Sequence, residues 1–68
     1  MIKLKFRFIE GGSRSANYKT LAGAQRAAQR QIGRHPSISS AGGYAVDDYG
    51  CCTLRVEGCT LWDLFPQA

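Results

Sequence analysis

Residues 2–8 read Ile2-Lys3-Leu4-Lys5-Phe6-Arg7-Phe8, an unbroken alternation of apolar and basic side chains. Successive side chains of a strand leave opposite faces. The segment therefore predicts a strand with an apolar side of Ile2, Leu4, Phe6 and Phe8 and a cationic side of Lys3, Lys5 and Arg7. Cations repeated at steps of roughly 7 Å along one face repel one another and do nothing for folding. Such a face is expected to meet something acidic outside the chain.

Working outward from this strand, Glu10-Gly11-Gly12-Ser13 has turn chemistry, and residues 14–19 resume a weaker alternation in which Ala16 and Tyr18 face the core. This second strand is the less secure half of a hairpin, because Ser15, Ala16 and Asn17 have poor β-propensity. Thr20 reads as an N-cap for a helix over residues 21–32, with Leu21, Ala24, Ala28 and Ile32 on the inner face and Arg26, Arg30 and Arg34 near the outer side. Gly33 and Pro36 stop it, and Arg34 and His35 stand near the negative end of its dipole.

Residues 37–43 form a polar, glycine-containing connection, expected to be the most mobile segment. Tyr44-Ala45-Val46 and residues 52–57 read as two strands joined by Asp47-Asp48-Tyr49-Gly50, in which Asp47 opens the turn and Gly50 takes a positive φ. Alternation places Tyr44 and Val46 in the core with Cys52, Leu54 and Val56, while Thr53, Arg55 and Glu57 face outward. At the end, Thr60 and Asp63 form a capping box for a short helical turn whose Leu61, Leu64 and Phe65 plug the core before Pro66.

The expected fold is thus α+β: a single domain over residues 1–68, with a small antiparallel sheet in the order β-β-α-β-β, one helix on one face and a short C-terminal helical turn. Strand order is not determined by these signals. If the first strand lies beside the last, Glu57 or Arg55 stands next to its cations, and Glu57 partly neutralises them.

The chain has 68 residues, a formal net charge of +4 and 44% hydrophobic residues, which excludes both disorder and a membrane span as readings. Its first residues lack the apolar run of a secretory signal, so a cytoplasmic location is expected. Cys51, Cys52 and Cys59 are an odd set with no Cys-x-x-Cys pair, and adjacent strand cysteines point to opposite faces. With His35 they make four nominal zinc ligands, but free thiols, with no metal and no cofactor, are the expectation.

No catalytic constellation emerges. Asp47 and Asp48 sit where turns want aspartate, Glu10 ends a strand, Asp63 starts a turn, and His35 precedes a proline. Gly11-Gly12 is followed by no phosphate-loop pattern. The expectation is a binding protein, not an enzyme. Its candidate partner-binding residues are Lys3, Lys5, Arg7, Lys19 and Arg55 on the open sheet face, with Arg26, Arg30 and Arg34 on the helix as a second surface. Phosphate contacts from the sheet face would give salt-dependent nucleic-acid affinity. Base stacking would need exposed aromatics, and of the two candidates, Tyr49 and Trp62, Trp62 is expected in the core or at its rim, so specific RNA recognition is not expected.

The basic strand over residues 2–8, Lys19-Thr20-Leu21 leading into an alanine-rich helix, and the closing hairpin with its Cys59-Thr60-Leu61-Trp62-Asp63-Leu64-Phe65 tail resemble, in size and layout, the small anti-CRISPR proteins encoded by phages and mobile elements. The resemblance implies a non-enzymatic inhibitor, acting in a bacterial host cell, that docks on a host protein or a ribonucleoprotein such as a CRISPR effector complex. The basic balance departs from the acidic DNA mimics among these inhibitors and favours contact with an acidic protein patch or an exposed guide or target backbone. The alternative is a general DNA- or RNA-binding accessory protein.

Overall fold

The computed structural model describes residues 1–66. β1 (Ile2–Phe8) turns into β2 (Ser13–Tyr18), and α1 (Leu21–Ile32) follows. Three strands come next, β3 (Ser37–Ile38), β4 (Ala45–Val46) and β5 (Cys52–Glu57), and α2 (Leu61–Leu64) ends the described chain. All five strands lie in one antiparallel sheet in the order β2-β1-β5-β4-β3, so the α+β architecture is as expected. The alternating segment becomes the second strand of the sheet, paired on both sides. Leu4 and Phe6 are buried under α1, and the basic residues face the open side.

The helix sits close to the sheet because its inner face is small: Ala24 and Ala28 are fully buried, with Ile32 at its end. The Gly23 N–H donates to the Thr20 hydroxyl, forming the N-cap. Leu21 departs from expectation. It is 40% exposed, since as the first helical residue it precedes the turn that lies over the sheet.

α2 plugs the open end of this layer. Leu61, Leu64 and Phe65 are buried. Thr60 and Asp63 cap each other: the Asp63 N–H donates to the Thr60 hydroxyl, and the Thr60 N–H donates to the Asp63 carboxylate. At the other end, the Gln25 side-chain amide donates to the Asp63 carbonyl and the Gln29 amide donates to the Leu64 carbonyl. These are the last carbonyls of a helix too short to satisfy them itself, so α1 ties down the plug.

Two further expectations are corrected. Residues 37–43 contain an extra strand, because Ser37 and Ile38 pair with Val46 and Ala45. The loop beyond them is built around Ser39, whose hydroxyl accepts from the Gly43 and Tyr44 N–H groups. Two residues in a polar stretch carry no readable alternation, which is why the strand escaped the sequence pattern.

The second correction concerns the phase of β4. Ala45, not Tyr44 and Val46, faces the core, and Ala45 is opposite Leu54. The turn decides this. Asp47 Oδ1 accepts from the Cys51 and Cys52 N–H groups, and the Asp47 N–H donates to the Cys52 carbonyl, which fixes a register one residue away from the one alternation suggests. A one-residue slip sends every side chain to the other face. Tyr44 is consequently 42% exposed and Val46 half-buried on the open side.

Gly58, between β5 and the plug, has φ +100, and a Cβ there would lie 2.6 Å from the Met1 carbonyl oxygen. Backbone cannot yield as a side chain does, so Gly58→Ala is expected to destabilise the fold by about 1–3 kcal/mol, measured as a lower urea midpoint.

Candidate functional site

The open face of the sheet is a patchwork set by register. Lys3 lies opposite Glu57, Lys5 opposite Arg55 and Arg7 opposite Thr53, while Asn17, Ser15 and Ser13 of β2 flank the same three residues on the other side. Lys3, Lys5, Arg7 and Arg55 are therefore gathered on one face. The turn register of β4 brings Tyr44 to it as well. A shallow concavity of about 500 Å³ is lined by Lys5, Arg7 and Arg55, with Tyr44 and the hydroxyls of Ser13, Ser15 and Thr53 at its walls.

Glu57 is the acidic member. Lys5 Nζ lies 3.0 Å from Glu57 Oε1, and this is the single salt bridge among the described residues. The hydrogen bond from Lys5 holds the Glu57 carboxyl below its ordinary value, and the charge of Lys3 adds to the effect. The expected partial neutralisation of the face is present, and it falls at the Lys3–Lys5 end. Arg7 and Arg55 have no carboxylate partner among the described residues.

The other predicted contact residues do not line this concavity. Lys19 follows β2 in the bend before α1, Arg26 is exposed on α1, and Arg34 is exposed beyond its end. Arg30 lies beside β2 with Arg14. The helix arginines thus do not make one surface. Tyr44 is the residue the sequence reading missed. The signal lay in Asp47, whose place in the turn sets the β4 register. Tyr49 is fully out in the turn, and Trp62, half-exposed, lies over Gly42, where a Cβ would collide with the indole.

The cysteines separate as strand geometry requires: Cys51 is exposed, Cys52 buried and Cys59 intermediate, all as free thiols. Burial pushes the Cys52 and Cys59 thiols up, with the charges of Asp47 and Asp63 respectively adding to it. Both are therefore held as unreactive thiols near neutral pH. A thiol reagent followed by mass spectrometry is expected to modify Cys51 first and Cys52 only in denaturant. Equal rates for the two would contradict this packing. Among the described residues, no three His, Cys, Asp or Glu side chains are placed to hold a metal ion, and no helix is long and apolar enough to cross a membrane.

No protein-family model, curated protein or solved structure matches the chain, and the arrangement of its side chains is what bears on its role.

Proposed function

We propose that the chain is a non-enzymatic binding domain whose open sheet face docks on a polyanion, specifically a single-stranded nucleic-acid backbone. The carrying observation is the meeting of Lys5, Arg7 and Arg55 with one half-exposed aromatic ring, Tyr44, around a shallow concavity, with Lys3 further along the same face. Cations follow the phosphates, and a tyrosine face accepts one unstacked base, the combination that single-strand binders use. An inhibitor resembling the anti-CRISPR proteins would use the same face on a guide or target strand exposed in a ribonucleoprotein.

The test is anisotropy of a labelled oligothymidylate across a salt series. With three to four cations engaged, log K is expected to fall against log salt with a slope between about −2 and −3. Tyr44→Ala is expected to weaken the single strand by about tenfold, the scale of one lost stack, with little effect on duplex. A flat salt response, or equal loss on duplex and single strand, would contradict the reading.

Glu57 works against this partner. Glu57→Gln is expected to tighten oligonucleotide binding by about fivefold at neutral pH, because it releases Lys5 and removes the opposing charge. The same carboxylate favours the folded state. Its acidity is increased on folding, as is that of Asp63, whose carboxylate accepts the Thr60 N–H. Their stabilisation is complete above pH 4.5, the ordinary glutamate value, and is lost as acid protonates them in the folded chain.

A further inference from the structure

The two edges of the sheet are unlike. β3 has two residues, which is one way proteins blunt an edge, whereas β2 runs for six residues without proline. The ladder shows which of its backbone groups are free. The Phe8 N–H donates to the Gly12 carbonyl, and across β1 the Ile9 N–H donates to the Cys51 carbonyl. In an antiparallel ladder paired residues alternate between bonded and non-bonded. Arg14, Ala16 and Tyr18, paired with Phe6, Leu4 and Ile2, therefore bond inward to β1. The N–H and C=O groups of Ser13, Ser15 and Asn17 point outward along an unpaired edge.

On the helix side of that edge lies a groove of about 390 Å³ between β2 and α1. Its floor is Ala16, Tyr18 and Ala27, and its charged members are Arg14 and Arg30, with Gln31 beside them. The Arg14 guanidinium stands 5.2 Å from the centre of the Phe6 ring, which holds it over the groove. Neither arginine has a carboxylate partner among the described residues.

We infer that β2 and α1 form a docking site for an extended acidic segment of a partner protein, which adds to the sheet as a sixth strand. Outward backbone groups every second residue supply the main-chain bonds of strand addition, and the groove takes alternate side chains of the guest. Small Ala16 leaves room for a large apolar side chain opposite it, and the Arg14 and Arg30 guanidiniums, both lining this groove, call for a carboxylate beside it. A guest of pattern acidic-x-apolar-x-acidic reads the same in both strand directions, so it sets a carboxylate beside Arg14 whichever way it runs. The groove lies on the helix side of the sheet, opposite the open face, and although Ser13 and Ser15 border both, the inference does not depend on the nucleic-acid reading.

The probe is a blocked peptide alternating threonine with glutamate, leucine and glutamate, titrated into the labelled protein and followed by amide shifts and hydrogen exchange. The Ser13, Ser15 and Asn17 amides are expected to gain protection, while those of β3 do not. Replacing both glutamates by glutamine is expected to weaken binding at least about tenfold, and so is Arg14→Gln, which leaves the edge intact. Ser15→Pro, which removes one outward donor and no bond to β1, is expected to abolish the complex. If that variant fails to fold, exchange protection in the unaltered chain still decides. The inference is overturned if a peptide of the same composition with adjacent glutamates binds equally, or if the three amides stay unprotected. It is also overturned by sedimentation showing a dimer joined through this edge, which would assign it to a second copy of the chain.

Discussion

Phe65→Ala is expected to leave most of the chain unfolded in dilute buffer at room temperature. Phe65 is fully buried at the end of α2, where it joins Leu61 and Leu64 in the core. Truncating a buried phenylalanine costs about 3–5 kcal/mol, and a single core in a chain of this size contributes about the same in total. The local supports cannot compensate. The capping box fixes where α2 begins, and Gln25 and Gln29 hold its last carbonyls, but these bonds orient the plug and the ring fills the space. A circular-dichroism urea titration reads the outcome. Trp62→Ala serves as the contrast, since Trp62 is half-exposed over Gly42 and its loss is expected to leave a cooperative transition. A Phe65→Ala chain that still unfolds cooperatively near the parent midpoint would mean the C-terminal plug is not part of the core.

Arg7→Glu combined with Arg55→Glu is expected to lower oligonucleotide affinity by at least about a hundredfold at low salt while leaving the fold in place. Both side chains are exposed, and their strands place them diagonally across the β1–β5 seam, since Arg7 faces Thr53 and Lys5 faces Arg55. Losing two of the three to four phosphate contacts removes about half or more of the salt-dependent affinity, and two new carboxylates repel the backbone. The partner comparison is Arg26→Glu combined with Arg34→Glu, which changes the net charge equally at positions away from the open face. Equal losses for the two pairs would mean that net charge, not a defined face, drives binding.

The parts of this molecule that were legible in the sequence are those where one physical requirement dominates a short window. Ile2–Phe8 alternates without error because β1 is paired on both sides, with a core beneath and water above. Thr60 and Asp63 stand at capping-box spacing, and Asp47 and Gly50 frame a turn in which Gly50 has φ +70. β4 misled because alternation alone cannot choose a phase for two residues. The hydrogen bonds of Asp47 chose it, and with it the exposure of Tyr44. The gathering of Arg55 with Lys3, Lys5 and Arg7 depends on β5 pairing with β1 across some fifty residues of chain, a contact no local pattern encodes. The groove over β2 was hidden for the same reason. Arg30 reads as one of three evenly spaced helix arginines until the fold sets it beside Arg14.

The most direct measurement is amide and side-chain shift mapping with a short oligothymidylate at low salt. The account predicts saturable changes centred on Lys3, Lys5, Arg7, Tyr44 and Arg55, fading as salt is raised. Absence of binding under those conditions, or changes centred on the outer side of α1 around Arg26 and Arg34, would contradict it.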